Sequence, residues 1–210
     1  ELPPQFGPSG SVVSLFRHGQ TEGNVLGRWQ GRSDSALTEH GVWQVERTAH
    51  IAPPVASLYT SPLGRTVASA EIIGRPHGVT PIAYDGLIEM SFGSWENMTT
   101  AEAAEADPDL FNEIYGLGID GKRGGDGESF TDAGARMLEA VGAIAEETDH
   151  TEVGVVSHGA AIRAYVTGII GLGFDDRNRI PIPRNSSMSR VIYADGRSVL
   201  AGYNVAPHLD

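Results

Sequence analysis

Three short stretches hold the side chains that could do chemistry. Phe16-Arg17-His18-Gly19-Gln20-Thr21-Glu22-Gly23-Asn24 sets a titratable imidazole beside a guanidinium, with a glycine that lets a ligand come close and with Thr21 and Asn24 as polar partners. Ser61-Pro62-Leu63-Gly64-Arg65-Thr66 sets Arg65 in the first turn of an expected helix. A helix N-terminus and a guanidinium together suit a phosphate dianion, because free N–H donors point outward and the helix dipole favours negative charge. Val155-Val156-Ser157-His158-Gly159 repeats the His-Gly pair after a second apolar run and continues to Ile162-Arg163. A fourth stretch, Leu87 to Glu96, offers a carboxylate at Glu89. Taken singly, these residues read as a loop histidine, a surface arginine and a solvated acid. Their combination points to anion chemistry.

The elements that must position them follow from periodicity. Ser11 to Phe16, Val55 to Thr60, Thr80 to Tyr84 and Glu152 to Val156 are short, β-rich runs and predict strands. Thr38 opens a helix with Val42, Val45 and Ala49 on one face and Pro53 beyond its end. Ser61-Pro62 is expected to cap and open a helix running to about Ile73. Ala101 to Tyr115 predicts short helices broken at Pro108, and the four glycines between Gly121 and Gly127 demand a loop. Ser129 to Thr148 is the longest helical pattern, with Met137, Leu138, Val141, Ile144 and Ala145 on its apolar side. Another helix follows Gly159 to about Ile170. Met188 to Tyr193 and Ser198 to Tyr203 alternate across Ala194-Asp195-Gly196 and predict a hairpin-like pair. Strands alternating with helices imply an α/β fold, a three-layer α/β/α sandwich with a mainly parallel sheet. Ligands bind such sheets beyond the carboxyl ends of the strands, where His18 and His158 both fall.

Composition narrows the partners. The chain has 210 residues, a net charge of −12 and a single lysine, Lys122. Nucleic acid and anionic membrane reward clustered cations, so neither is an expected partner. No apolar run approaches the ~18 residues of a membrane span, no secretory signal is visible, and a cytoplasmic location is expected. Cysteine is absent, which removes disulfide and thiol chemistry. The Pro/Gly-rich segment 1–10 is expected to be flexible, ahead of one domain over 11–210.

The motifs together resemble the histidine phosphatase superfamily, the group related to cofactor-dependent phosphoglycerate mutase. The resemblance runs from about Val12 to Tyr203. It rests on Arg17-His18-Gly19 with Thr21 and Asn24, Gln30-Gly31, Asp34 with Leu37-Thr38, Gly41 and Gln44. It continues through Ser61-Pro62-Leu63 with Arg65, Ala70-Glu71, Glu89 with Gly93 and Trp95-Glu96, Gly127-Glu128-Ser129, and Val156-Ser157-His158-Gly159 with Ile162-Arg163. The chain departs from the pattern at Ser35 and Ala36, at Val67 and Ser69, at Ala160, and at Asn97, where a glycine is frequent.

The resemblance implies a phosphoglycerate mutase-like sheet and a set of roles. His18 is the nucleophile, Arg17, Arg65 and His158 form the phosphate pocket, and Glu89 gives a proton to the leaving oxygen. Asn24, Gln30, Gly31 and Gly159 are expected to touch the phosphate or the substrate. The physics agrees. Phosphoryl transfer spreads charge over three oxygens, so positioned cations do most of the work, and arginine grips two oxygens at once. A histidine attacks only through an unprotonated nitrogen, so the other ring nitrogen should donate to a backbone carbonyl, and the neighbouring arginines should help keep the ring neutral. An acid at the leaving oxygen is typically worth ~100- to 10,000-fold, and its proton requirement places the activity optimum on the acid side of neutral. No metal and no cofactor are expected; His40, His50, His77, His150 and His208 lie scattered.

The expected activity is hydrolysis of a small phosphorylated metabolite, by a monomer or homodimer. A mutase is the alternative, but the stretch between Glu89 and Glu128, with a lid-like insert at about 92–128, has only Lys122 and Arg123 against eight acids from Glu96 to Asp126. Those carboxylates would repel a second phosphate. An inactive phosphate-binding module is a third reading. Phe92, Trp95, Met98, Phe111 and Tyr115 either line an apolar substrate wall or form the lid's own core. Glu128 either contacts a substrate hydroxyl or supports the Ser129 helix.

Overall fold

Alternation along the strands builds the architecture. In the computed structural model, which describes residues 10–148 and 152–209, the elements run β1 (Ser11–Arg17), α1 (Glu22–Val25), β2 (Arg28–Trp29), α2 (Glu39–Ile51), β3 (Ser57–Thr60), α3 (Gly64–Gly74), β4 (Ile82–Ala83), β5 (Met98–Thr99), α4 (Thr100–Ala106), α5 (Pro108–Phe111), α6 (Phe130–Glu147), β6 (Glu152–Ser157), α7 (Gly159–Ile169), β7 (Met188–Ala194) and β8 (Arg197–Val205). Residues 1–9 of the N-terminal segment and His150 lie outside the described residues. The main sheet has the order β4-β3-β6-β1-β7-β8. Its first four strands are parallel, and β7 and β8 extend it antiparallel. Val13, Leu15, Val153 and Val155 point to one face and pack with Met137, Val141, Ile144, Ile162 and Val166 of α6 and α7. Their neighbours Phe16, Leu58 and Val156 point to the other face and pack with Val45, Ala70 and Ile73 of α2 and α3. A period of two thus gives a single sheet two cores and a helix layer on each side.

The helix ends follow local chemistry with two corrections. Thr38 caps α2 by accepting from Gly41 N, and Ser129 caps α6 in a reciprocal box with Asp132. The helix expected to open at Ser61-Pro62 starts instead at Gly64, after Leu63, and the Ser61 hydroxyl is drawn into the site by a histidine. Leu138, expected on the apolar side of α6, is exposed at 49%. It sits one position from Met137, about 100° round the helix, and so turns past the buried stripe.

The segment from Phe92 to Glu128 folds around its own aromatic cluster. Trp95 is fully buried, with Trp29 at 6.1 Å and Phe111 at 6.0 Å between ring centroids. The two-residue ladder of β2 with β5 ties this segment to the loop after α1; strands that short leave no periodic signal in the sequence. Asn97, in place of the frequent glycine, still takes the left-handed conformation at φ 64°, which asparagine tolerates.

Candidate active site

The register of β1 on β6 pairs Arg17 with Ser157, so the two His-Gly steps leave the sheet side by side at its carboxyl edge. The imidazoles of His18 and His158 meet edge to face with centroids 5.3 Å apart. His18 Nδ1 lies 2.7 Å from the Gly19 carbonyl oxygen. A carbonyl only accepts, so Nδ1 carries the proton and Nε2 keeps its lone pair. The loop is held tightly. Gly19 N donates to Ser69 Oγ at 3.1 Å, and a Cβ on Gly19 would lie 2.5 Å from Gly41 O, so only glycine fits against the start of α2.

Arg65, 2% exposed, projects from the first turn of α3. Its guanidinium donates to the carbonyls of Gly31 (2.7 Å) and Ser33 (2.7 Å) and to Asp34 Oδ1 (3.1 Å). Its Nε donates to His158 Nδ1 at 3.2 Å. His158 Nε2 must then carry the proton, which it gives to Ser61 Oγ at 2.7 Å. His158, expected as part of the phosphate pocket, has both ring nitrogens hydrogen-bonded, to Arg65 and Ser61, and its ring lies against that of His18.

Glu89 reaches the N-terminus of α7. Its Oε1 accepts from Met90 N and Ala161 N, each at 2.8 Å, and its Oε2 accepts from Ala160 N at 3.2 Å. Arg17 donates to the Pro183 carbonyl at 2.6 Å, and its Nε is buried without a protein partner. Gly159 is what allows this: a Cβ there would sit 3.1 Å from the guanidinium carbon.

A cavity of about 110 Å³ opens on these groups. That is below the roughly 300–1,000 Å³ of sites for drug-sized ligands. Arg17, His18, Asn24, Gln30, Gly31, Arg65, Glu89 and Gly159 all line it, so eight of the nine expected site residues come together; His158 is outside the lining. Gln30 is spoken for at both ends, donating to Thr21 Oγ1 at 2.8 Å and accepting from Ser35 Oγ at 2.5 Å. Glu128 ties the end of the 92–128 segment to its neighbours: it accepts from Arg136 Nε at 2.8 Å and Ser91 N at 2.9 Å. Among the described residues, no cluster of three or more His, Asp or Glu is placed to hold a metal ion, and no helix is long and apolar enough to cross a membrane.

Sequence reasoning missed several contributors. Asn185 Nδ2 donates to His18 O (3.1 Å), Gly19 O (3.3 Å) and Asn24 Oδ1 (3.0 Å), bracing the His18 loop from a distant part of the chain. Ser61 and Asp34 anchor His158 and Arg65. Arg28, Trp29, Phe92, Ala160 and Ile182 complete the cavity wall. Asp34 carried a family match; Asn185 follows no motif and shows itself only in space.

Burial, more than the arginines, sets the electrostatics. Burial holds both imidazoles well below the ordinary histidine range, with Arg17 and Arg65 adding to the effect at His18, and Arg65 and His18 at His158. Burial also brings the Arg17 guanidinium down to about 10, against the opposing pull of Glu89. The unfolded chain binds protons at these rings below about 6.5, whereas the folded one does so only much lower. Stability is therefore full above about pH 6.5 and falls as pH drops below it, by up to about 1.4 kcal/mol per pH unit for each ring. Denaturant unfolding at intervals from pH 7.5 to 5 checks this, and His158→Asn removes one ring's share of the slope. A wild-type stability that stays level over that range would contradict the neutral pair.

Comparison with known proteins agrees with this geometry. A family model described as the histidine phosphatase superfamily (branch 1) matches residues 13–206. The chain is 32% identical over 205 residues to the probable phosphoglycerate mutase GpmB of Yersinia pestis, covering 94% of each chain. Among solved structures it is similar to Bacillus stearothermophilus YhfR, at 28% identity and a TM-score of 0.87, over 95% of this chain and 100% of that one. It is also similar to a phosphoserine phosphatase mutant from Entamoeba histolytica in complex with phosphoserine, at 27% identity and a TM-score of 0.83, again over 95% and 100%. A mycobacterial glucosyl-3-phosphoglycerate phosphatase follows at 25% identity and a TM-score of 0.80, over 92% and 99%. With the family model spanning nearly the whole described chain and two histidines, two arginines and a glutamate gathered at one sheet edge, the chain belongs to the histidine phosphatase superfamily.

Proposed function

We propose that this chain is a phosphomonoesterase that hydrolyses a small phosphorylated metabolite through a phosphohistidine on His18. The observation that carries this reading is the Nδ1 proton of His18 held by Gly19 O, which leaves Nε2 neutral and nucleophilic beside two guanidiniums. Nε2 attacks phosphorus while the bond to the leaving oxygen breaks. Arg17, Arg65 and the amide of Asn24 hold the equatorial oxygens as charge spreads over them. Asn24 Oδ1 already accepts from Thr21 N and Asn185 Nδ2, so its own Nδ2 is left to donate. His158 keeps Arg65 and the His18 ring in place. The leaving alkoxide takes a proton from Glu89. Oε2, with a single amide donor at 3.2 Å, is the oxygen suited to carry that proton. In the second step Glu89 takes a proton from water, the water oxygen attacks phosphorus, and the P–N bond breaks to free His18 and inorganic phosphate.

The hydrolase reading is favoured over a mutase by the lid, where Lys122 and Arg123 face a surplus of carboxylates, and by the small cavity. Two of the solved relatives above are named phosphatases, whereas the Yersinia relative is named a probable mutase. Brief mixing with a phosphomonoester, an alkaline quench and mass spectrometry should find one added phosphoryl group on the peptide containing His18, with phosphate released stoichiometrically. Interconversion of phosphoglycerates that outpaces phosphate release, when primed with the bisphosphate, would overturn the hydrolase reading.

A further inference from the structure

Asn185 reaches the His18 loop from 167 residues further along the chain. Its Nδ2 lies 3.1 Å from His18 O, 3.3 Å from Gly19 O and 3.0 Å from Asn24 Oδ1. Two of these partners are backbone carbonyls, which only accept, so the NH2 end of the Asn185 amide must face them. That NH2 group in turn obliges the facing atom of Asn24 to be an acceptor. Asn24 Oδ1 also accepts from Thr21 N at 3.2 Å, and Asn24 N donates back to Thr21 Oγ1 at 3.2 Å. With its oxygen turned toward two donors, Asn24 has only its own NH2 end left to offer. Asn24 lines the cavity, whereas Asn185 does not. The backbone of the His18 loop thus orients the amide of residue 185, and that amide orients the one at residue 24.

The turn that delivers Asn185 is strained and tightly held. The next residue, Ser186, is buried and takes φ 58°, a left-handed conformation that residues bearing a Cβ rarely adopt. In this conformation Ser186 N donates to Arg17 O and His18 O, each at 3.1 Å. Thr48 Oγ1 of α2 donates to Ser186 O at 2.8 Å. On the other side of Asn185, Arg17 donates to Pro183 O at 2.6 Å and Arg184 N donates to Asn204 Oδ1 of β8 at 2.7 Å. Bonds to β1, α2 and β8 therefore pin the turn on both sides of Asn185. Backbone strain persists only where the surroundings over-determine it, and it concentrates at active sites.

We propose that Asn185 is a positioning residue for phosphoryl transfer: it locks the Asn24 amide with its NH2 end toward the phosphoryl oxygens, so that Asn24 donates to them as negative charge spreads. The proposal rests on the phosphomonoesterase reading and adds to it a residue that never touches the substrate. Without Asn185, the Asn24 oxygen keeps only Thr21 N, and the amide is free to swing. The reversed amide would set an oxygen against the phosphoryl oxygens.

The test is a double-mutant cycle on kcat/KM for para-nitrophenyl phosphate, with a thermal melt of each variant. Asn24→Ala removes a hydrogen bond to a charged group and should lower kcat/KM about 10- to 100-fold. Asn185→Ala should lower it about 3- to 10-fold, the worth of a neutral hydrogen bond. In the Asn24→Ala background no amide is left to orient, so Asn185→Ala should lower it less than about 2-fold. The shift in melting temperature on Asn185→Ala should be similar in both backgrounds, so a merely structural role would not produce the difference in rate. If Asn185→Ala does not fold, Asn185→Ser, whose hydroxyl is too short to reach Asn24 Oδ1, repeats the comparison. An equal rate loss with and without Asn24, or no loss at all, would overturn the proposal and leave the phosphohistidine route standing. Hydrolysis that persists undiminished in His18→Ala would overturn the parent reading, and the proposal with it.

Discussion

His18→Ala lowers turnover of any phosphomonoester by roughly 10⁴- to 10⁶-fold, the scale seen when a nucleophile is removed from an otherwise intact site. The fold survives the change, because the loop is held by backbone and by other side chains: Gly19 N to Ser69, Asn185 to the carbonyls of residues 18 and 19, and Ser186 N to the carbonyls of Arg17 and His18. The variant also loses a buried ring that resists protonation, so its stability falls less steeply than that of the wild type below pH 6.5. Steady-state assays with para-nitrophenyl phosphate, alongside a thermal melt, decide the matter. A folded His18→Ala protein that keeps more than a few per cent of wild-type turnover rules out the phosphohistidine route.

Glu89→Gln separates the acid from the nucleophile. With an alkyl phosphate, whose leaving oxygen needs a proton, the loss should be about 100- to 10,000-fold. With para-nitrophenyl phosphate, whose leaving group departs without one, the first step should be nearly spared, and a burst should precede a slow second step in which no base activates water. With the amide oxygen kept where Met90 N and Ala161 N donate, the substitution sets an NH2 against the donor Ala160 N, so a modest loss of stability is expected. Equal losses with both substrates would assign Glu89 to anchoring α7 and leave the proton donor elsewhere.

Much of this site was legible because its parts are local. A histidine after an apolar run, an arginine just inside a helix and a glycine beside each histidine are short-range patterns, and parallel strands bring such ends to one edge. The same local logic read Thr38 and Ser129 as helix caps. It failed at Ser61-Pro62, where a proline and a serine mimic a helix start while the serine hydroxyl serves His158 across 97 residues of chain. It failed at β2 and β5, whose two-residue ladder exists only because the segment after Phe92 folds back on the loop after α1.

The residue types alone determined the family: imidazole, guanidinium and carboxylate in its order, on an α/β frame whose parallel strand ends bring them to one edge. Tertiary structure alone decided which nitrogen of His18 is free and that His158 hydrogen-bonds Arg65 and Ser61, 93 and 97 residues away. The reason is range. Hydrogen-bond partners and desolvation depend on groups brought together from tens of residues apart, and nothing in a local stretch records how far its neighbours will be removed from water.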